Sequence, residues 1–240
     1  MIDSGQLLER FRHLSREIQN GLQTSQKHLD TLKRTKDLQD VAKISNSLSQ
    51  MSEAWQDFSG WVHISTLDNL EDARANCAPG RIELTSKIKR SKMRRINETS
   101  RIGVNIDTSD SCEIVIETYI PYFEQLLDLL VGNAVKYSPR TSIIEISCSR
   151  SKLGANVIIR SIGPMVFKHE MTQLGELGFR SINAQKLPLT GQGYGLYNCK
   201  RLAELLNISI DFKPDQKILY ESGGVPHSNF VVSLAIPEAP

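Results

Sequence analysis

The chain lacks the features that define several large classes of protein. It has four cysteines in 240 residues, far apart and with no Cys-x-x-Cys pair, which favours reduced thiols over a disulfide framework or a zinc site. No apolar run approaches the roughly 18 residues needed to cross a bilayer, and the polar N-terminus does not resemble a signal peptide. We therefore expect a cytoplasmic protein, with any membrane sensor on a longer parent chain or on a partner.

An excess of one charge is also lacking. The 29 Lys and Arg residues nearly balance the 27 Asp and Glu residues, and the net charge is +2. This balance gives no argument for nucleic acid or an acidic membrane as a partner. One basic cluster, within residues 87–95, has no interleaved aromatic side chains, and we interpret it as the solvated face of a helix.

Proline is absent from the first seventy-odd residues and glycine is scarce there, which favours helices. Apolar residues recur at spacings of three and four in two stretches, namely Leu7, Phe11, Leu14 and Ile18, and then Val41, Ile44, Leu48, Met51, Trp55, Phe58 and Val62. The second pattern is typical of coiled coils and helical bundles, and residues 33–40 are the predicted turn. Because a lone hairpin cannot bury such a stripe, we predict a homodimeric four-helix bundle. Packing against the chain's own second domain is the alternative.

A break at Ala78-Pro79-Gly80 divides the chain into predicted domains 1–77 and 81–240. Beyond it we predict helices at 86–101, 121–137 and 194–206, and strands at 81–85, 103–107, 113–117, 143–148, 156–160, 208–212, 218–220 and 230–236. Strands 103–107 and 113–117 are predicted to form one hairpin, and strands 143–148 and 156–160 another. The expected fold is α+β: a helical hairpin, then an α/β sandwich with helices on one sheet face.

Three segments of the second domain carry residues suited to a nucleotide. Asn133 and Lys136 project from one face near a helix end, and an amide oxygen beside a cation suits a magnesium nucleotide. Residues 189–196 place three glycines at alternate positions before a helix, where backbone N–H groups can approach an anion. The turn at 161–164 follows a strand and can present its backbone to a flat ring. A plain helix end, a flexible loop and an ordinary turn are the alternatives.

A fourth segment, residues 178–181, adds an aromatic ring and an arginine, and residues 182–190 after it are predicted to form a mobile lid. In order, NAVKYSP (133–139), SIGPM (161–165), GFRS (178–181) and GQGYGL (191–196) resemble the N box, first glycine box, F box and second glycine box of sensor histidine kinases. The resemblance covers residues 81–237. It implies the GHKL-type catalytic and ATP-binding domain of that family.

The resemblance implies ATP and Mg²⁺ as ligands and gives each matched position a role. Asn133 would bind the magnesium ion, Lys136 the phosphates, and Tyr137 would line the pocket. Ser161 and Gly163 would lie at the adenine. The glycines of the second box would wrap the phosphates, with a leucine behind them: Gly191, Gly193, Gly195 and Leu196.

The sequence departs from the family pattern at the phosphoacceptor. Residues 15–22 resemble the H box, but Arg16 occupies the place of the phosphorylated histidine and Gly21 that of a common proline. A guanidinium is always protonated and cannot attack a phosphate, so autophosphorylation at the usual place is excluded. His13 is the fallback acceptor, and a solvated surface histidine is the alternative reading of it. His28 and His63 are weaker candidates, and His169 and His227 are expected in loops without a role.

Three further departures lie in the ATP-binding region. Leu129 stands where the family has Asn or Glu, and Met165 replaces the second glycine of the first box. Ser161 replaces the carboxylate that accepts the adenine amino group. Exchanging a charged acceptor for a neutral one costs roughly 1.5–3 kcal/mol, or about tenfold to hundredfold in affinity.

The departures leave three hypotheses for function. The first is a degenerate two-component signalling module that binds ATP weakly or not at all and acts through dimerisation or partner docking. The second is an active ATP-dependent kinase that phosphorylates a shifted histidine or a partner. The third is an ATP-independent, phosphotransfer-like adaptor for a response regulator. Expected partners are a second copy of the chain and a response regulator or partner kinase, with no nucleic acid and no membrane segment.

Overall fold

The computed structural model describes residues 16, 20–25, 27–31, 41, 43–44, 47–48, 51, 74, 77–110, 113–152, 154–189 and 191–237. The chain divides into two compact units, Met1–Asp68 and Asn69–Pro240. The domain bounds 1–77 and 81–240 stay predictions.

Described residues of the first unit are helical, both at 20–25 and 27–31 and at the described positions between 41 and 51. The two stretches touch at Gly21, where an added Cβ would lie 2.4 Å from Met51 Cγ. This contact agrees with a helical hairpin. The predicted turn at 33–40 and the apolar residues Leu7, Phe11, Leu14, Ile18, Trp55, Phe58 and Val62 lie outside the described residues.

The second unit is built on two sheets. Strand β1 (Gly80–Glu83) pairs antiparallel with β3 (Val115–Thr118). The larger sheet has six strands and consists of β2 (Asn105–Asp107), β4 (Ile143–Ser151), β5 (Gly154–Pro164), β6 (Ser209–Pro214), β7 (Tyr220–Ser222) and β8 (Val225–Pro237). Its order is β2-β4-β5-β8-β6, and β7 pairs with β8. Strand β2 runs parallel to β4, whereas the other pairs are antiparallel.

The helices of this unit are α1 (Leu84–Arg94), α2 (Ile96–Ile102), α3 (Ile120–Tyr137), α4 (Ile182–Lys186) and α5 (Gly195–Leu205), with a 3₁₀ helix at Lys168–Gln173. Helix α3 begins with a proline in its first turn, where the missing N–H costs nothing, and it ends just before Pro139. Its buried residues recur at helical spacing, from Phe123 to Val135. The sequence therefore fixes both ends and the inner face of α3.

The core lies between one face of the larger sheet and the helices. Buried and exposed residues alternate along β4 and β5, and Ile146 and Ile159 point inward. Leu130 of α3 and Leu202 of α5 pack in the same core, at 2% and 0% exposure. A sheet with one covered face needs this two-residue alternation. The predicted α+β class, with helices on one sheet face, is confirmed.

Three details of the prediction are wrong. The turn predicted at 161–164 is the end of strand β5, paired with β8. The segments predicted as a hairpin at 103–107 and 113–117 do not pair, because β2 joins β4 while β3 joins β1. Strand partners are chosen by packing across the whole domain, which a local turn signal at Thr108-Ser109-Asp110 does not report. The helix predicted at 86–101 is two helices, and the break falls at Arg95.

Ion pairs fasten α1 to α3. Lys87 Nζ lies 2.5 Å from Glu124 Oε1, and Arg94 pairs with both Glu124 and Asp128. The hydrogen bond from Lys87 is the main cause that holds the pKa of Glu124 below its usual value. The basic cluster is thus not simply a solvated face, because several of its side chains bind the helix that carries Asn133 and Lys136.

The far end of α5 is held by Arg74. Its Nε donates to the carbonyl oxygen of Leu205 at 3.0 Å, and its Nη2 donates to Glu204 O at 3.2 Å and Asn207 Oδ1 at 2.9 Å. The last carbonyls of a helix lack partners within it and carry partial negative charge, so a guanidinium suits this position. Among the helices that the structure describes, none is long and apolar enough to span a membrane.

Candidate nucleotide-binding site

Asn133 of α3 faces the N-terminus of α5. A Cβ added to Gly195 would lie 2.8 Å from both Oδ1 and Nδ2 of Asn133, so only glycine allows this approach. Nδ2 of Asn133 is buried and has no hydrogen-bond partner in the described structure. An unpaired buried amide is costly, at about 1–3 kcal/mol. Its position therefore indicates a ligand that supplies the missing partner.

Lys136 lies one turn further along α3, against the start of the second glycine box. A Cβ on Gly191 would lie 2.9 Å from Lys136 Nζ, and the φ angle of Gly191 is 144°, which L residues rarely adopt. The cation and the glycine backbone therefore share one small region. A cation beside exposed backbone N–H groups is suited to binding a phosphate.

Gly193 brings the second glycine box against the F box. A Cβ at this position would lie 2.5 Å from the carbonyl carbon of Gly178 and 2.8 Å from the carbonyl oxygen of Phe179. Backbone atoms cannot move aside as a flexible side chain can. The alternation of glycines is thus explained by three different neighbours: Lys136, the F-box backbone and Asn133.

The first glycine box lies beside the N box. A Cβ on Gly163 would lie 3.7 Å from Tyr137 Cβ, which places β5 beside the end of α3. Met165, where the family has glycine, is 8% exposed, and its carbonyl oxygen accepts a hydrogen bond from Asn183 Nδ2 at 2.8 Å. Ser161 is buried on β5, and Leu196 lies in the first turn of α5, half-buried.

The segment predicted as a lid contains helix α4 and is tied down by Arg180. The Arg180 guanidinium donates to the carbonyl oxygens of Gly191 (3.2 Å), Ala184 (2.8 Å) and Leu189 (3.2 Å). Its Nε is buried without a partner in the described region. The buried carboxylate of Glu170 accepts from the backbone N–H of Ile182 at 2.7 Å. One F-box arginine therefore links the lid to the second glycine box.

A cavity of about 670 Å³ opens between the end of α3, the lid and the strands. Of the predicted ATP-binding residues, Lys136 and Tyr137 line it, whereas Asn133, Ser161 and the four glycines do not. The full lining is Lys136, Tyr137, Ser138, Pro139, Arg140, Thr141, Ser142, Ile162, Leu187, Pro188, Leu189, Tyr220, Ser222 and His227. It contains two cationic side chains and no carboxylate, which suits an anionic ligand.

Tyr220 and His227 also line the cavity, although the sequence alone assigns neither of them to the site. His227 lies on β8 and is 4% exposed, so its predicted placement in a loop is wrong. Its ring stacks on that of Tyr220, with centroids 5.0 Å apart and planes at 7°. Burial raises the pKa of Tyr220. The signal was present in the sequence, since Gly223-Gly224 is a hairpin turn that sets the residues before and after it side by side.

The residues fit a hydrated magnesium nucleotide. No cluster of three or more His, Cys, Asp or Glu side chains in the described ranges could hold a metal by itself. Mg²⁺ commonly keeps several waters and binds phosphate oxygens with only one or two protein ligands. The amide of Asn133, close to Gly195 and one turn before Lys136, can supply one such ligand.

Residues 119–238, half of the chain, match the model of the histidine kinase-, DNA gyrase B- and HSP90-like ATPase family. The matched region contains α3, α5, most of the larger sheet and all four boxes. The chain belongs to this family of ATPases. The resemblance to the GHKL-type core of sensor histidine kinases is thereby confirmed.

Similar proteins are sensor kinases. The sensor protein QseC of Escherichia coli strain K12 is 26% identical over 150 residues, which are 62% of this chain and 30% of that protein. The chain thus spans less than a third of the length of its curated relatives. The Acinetobacter baumannii histidine kinase AdeS has a TM-score of 0.55 and 14% identity, covering 92% of this chain and 97% of that one. The mycobacterial sensor histidine kinase MprB has a TM-score of 0.53 and 19% identity, covering 66% of this chain and 99% of that one. These structural likenesses show the fold, and the GHKL-type sandwich is confirmed.

Proposed function

We propose that this chain is a histidine-kinase-like module of two-component signalling that binds Mg-ATP as an effector and does not phosphorylate itself at the usual position. The observation that carries the proposal is that the four separate boxes lie against one another in pairs, with the unpaired amide of Asn133 at Gly195. We propose that the protein acts in the cytoplasm, as its relatives' kinase segments suggest.

The phosphates would lie between Lys136 and the backbone of Gly191 and Gly193, at the N-terminus of α5. The first N–H groups of a helix have no intrahelical partners and carry partial positive charge, so they attract anions. Helix α5 has 11 residues, enough for a useful macrodipole. Asn133 would bind the metal that bridges the phosphates, and Tyr137 and Leu196 would pack beside the nucleotide.

Loss of the usual autophosphorylation follows from Arg16. This residue is helical and exposed. A guanidinium is a delocalised cation and offers no lone pair to the γ-phosphate. The fallback acceptor His13 lies outside the described residues. Binding is expected to be weaker than with a carboxylate at position 161, because a charged acceptor for the adenine amino group is missing.

We propose that a second copy of the chain covers the helical hairpin. Four large apolar side chains of the first unit are exposed: Leu22 (52%), Leu29 (43%), Val41 (45%) and Leu48 (51%). They form two pairs at heptad spacing, one pair on each helical stretch. Ile44, between Val41 and Leu48, and Met51, three residues after Leu48, are half-buried. Apolar residues repeating every seven positions are the pattern by which helices associate. A response regulator would dock on such a bundle.

Nucleotide binding is tested by titrating Mg-ATP into the chain in a calorimeter. Lys136→Met removes the phosphate contact and is expected to lower the affinity at least tenfold. Lys89→Met, at an exposed position of α1, is the matched control and should leave it unchanged. Absence of binding by the unaltered chain would refute the proposal and favour the ATP-independent adaptor.

An active kinase is the second candidate, favoured by the intact arrangement of Asn133, Lys136 and the glycines. Incubation with γ-labelled ATP, under conditions that preserve phosphohistidine, separates the two. Under the main proposal the chain stays unlabelled. Acid-labile label that disappears in the variant His13→Gln would establish the shifted acceptor, and label on an added partner would establish phosphorylation in trans.

A further inference from the structure

The base of the lid is joined to the segment that carries the first glycine box. Asn183, in helix α4, is completely buried, and its Nδ2 donates a hydrogen bond to the carbonyl oxygen of Met165 at 2.8 Å. Lys186 Nζ donates to Asn183 Oδ1 at 3.4 Å, so both ends of the amide have partners. Met165 directly follows strand β5 and is the last residue of the first glycine box. One side chain of the lid therefore reaches that box.

Glu170 makes a second connection between the same two segments. Its buried carboxylate accepts from the backbone N–H of Phe167 at 2.9 Å and from that of Ile182 at 2.7 Å. Phe167 is two residues beyond Met165, and Ile182 is the first residue of α4. Asn183 and Glu170 are here called the lid clamp, because both fasten α4 to residues 165–167.

The segment to which α4 is fastened belongs to the core of the domain. Strands β5 and β8 pair as far as Pro164 and His227. Beyond that pair, the backbone N–H of Met165 donates to the carbonyl oxygen of Pro226 at 2.8 Å, and the side chain of Met165 is buried. The sheet therefore fixes the position of this segment, and the lid clamp transfers that position to α4.

Burial decreases along the lid from its base to its tip. Asn183 and Ala184 are buried, whereas residues 187–189 are half-buried or exposed. Two residues further on, Gly191 of the second glycine box lies against Lys136. The base of the lid is thus fixed to the first glycine box, and its tip leads to the second.

We propose that Asn183 is a positioning residue for the nucleotide: through its bond to Met165 it holds the lid where one ligand can contact both glycine boxes. The inference rests on the proposed nucleotide binding and adds to it a residue outside the four boxes. The family resemblance assigns the adenine to the first glycine box and the phosphates to the second. A lid with a loosened base leaves the adenine site intact and places the phosphate site correctly for only part of the time.

The variant Asn183→Leu keeps a side chain of similar size and removes the donor. The fraction of chains with the lid in place then falls, and the apparent affinity for a ligand that needs the lid falls by the same factor. We expect Mg-ATP to bind about tenfold more weakly, the factor that corresponds to one lost buried hydrogen bond. Adenosine, which needs only the first glycine box, should bind as it does to the unaltered chain. General destabilisation would instead lower both affinities alike.

Gln216→Leu is the matched control. Like Asn183, Gln216 donates from its side-chain amide to a carbonyl oxygen of the segment after β5, that of Val166 at 3.0 Å. It lies between β6 and β7 rather than in the lid, so its loss leaves the lid clamp in place. Titrations of the whole chain, by calorimetry for Mg-ATP and by NMR chemical shifts for adenosine, should give unaltered affinities for both ligands in this variant.

The outcomes distinguish this inference from the proposal on which it rests. If Mg-ATP does not bind to the unaltered chain, the proposed function fails. If Mg-ATP binds, the inference alone fails when Asn183→Leu keeps its affinity, when that variant weakens adenosine by the same factor, or when Gln216→Leu has the same effect. It also fails if the unaltered chain binds Mg-ATP but not adenosine, since the adenine site would then depend on the lid.

Hydrogen exchange in the unaltered chain covers the case in which Asn183→Leu does not fold. Because the base of the lid is already fixed, Mg-ATP should slow exchange strongly at Leu187 and Leu189 and only slightly at residues 182–186. Equal slowing at the base and the tip, or none at the tip, would overturn the inference.

Discussion

Replacing Gly193 by alanine tests whether the second glycine box must lie against the F box for the nucleotide to bind. Gly193 has a φ of 78°, in the left-handed region, where an L residue pays about 1–2 kcal/mol. In addition, its new Cβ would lie 2.5 Å from the carbonyl carbon of Gly178. Ordinary carbon contacts begin near 3.5 Å, so the loop must retreat by about 1 Å.

A retreat of that size moves the backbone N–H groups away from the phosphates. Misplacement of a binding group by about 1 Å can cost on the order of a hundredfold where geometry is demanding. We therefore expect the variant Gly193→Ala to bind Mg-ATP about tenfold to a hundredfold more weakly. We also expect a loss of about 1–2 kcal/mol in the free energy of unfolding, from the backbone strain.

Gly103→Ala provides the matched control, because the chain offers the same backbone conformation without the contact. Gly103 has a φ of 73°, and nothing lies within 4 Å of the position that its Cβ would take. It should lose a similar free energy of unfolding, seen as a fall of about 2–8 °C in the midpoint of thermal unfolding. Its affinity for Mg-ATP should not change.

Calorimetric titration and thermal unfolding of both variants decide the matter. Equal nucleotide affinity for Gly193→Ala and Gly103→Ala would refute the reasoning, since it would mean that the F-box contact has no part in binding. If Gly103→Ala also bound Mg-ATP more weakly, backbone strain rather than the F-box contact would be the cause of the lost affinity.

Three further changes test the rest of the structure. Glu124→Gln should lower the free energy of unfolding by about 1 kcal/mol near neutral pH. Because folding lowers the pKa of this carboxyl from 4.5, the loss should shrink as the pH falls below that value. A constant loss in denaturant titrations from pH 7 to 3 would contradict this. Arg180→Lys removes a guanidinium that donates to three carbonyl oxygens. Hydrogen exchange in residues 182–189 should become faster, by a factor that corresponds to roughly 1–3 kcal/mol of lost protection. Unchanged protection would show that other contacts hold the lid. Leu202→Ala, at a side chain with 0% exposure, should lower the free energy of unfolding by about 2–5 kcal/mol in equilibrium denaturation, and a loss under 1 kcal/mol would argue against its core position.

Local pattern was a good guide to α3 and to the hairpin of β4 and β5. The apolar spacing, the proline near one end and Pro139 after the other define α3 without reference to the rest of the chain. Alternation around a short turn predicts the hairpin, and in the structure β4 continues to Ser151 while β5 is longer at both ends, from Gly154 to Pro164. Both elements depend on residues that are neighbours in sequence, so local pattern is enough to predict them.

The partners of β2 and β3 and the contacts of the basic cluster could not be predicted in the same way. Both strands carry the right alternation, but nothing in it says that β2 lies beside β4. Likewise, Lys87 and Glu124 are 37 residues apart, and each by itself is typical of a solvated surface. Such contacts are decided by the packing of whole elements against one another.

The family can be read from the four boxes, whose order is a property of the chain. That Arg16 cannot act as a phosphoacceptor follows from the chemistry of one side chain. Which atoms meet depends on the folded domain: Asn133 lies at Gly195, Lys136 lies at Gly191, and His227 stacks on Tyr220 beside a cavity that Lys136 also lines. The physical reason is that a residue's chemistry is local, whereas its surroundings depend on sheet pairing and helix packing across the whole domain.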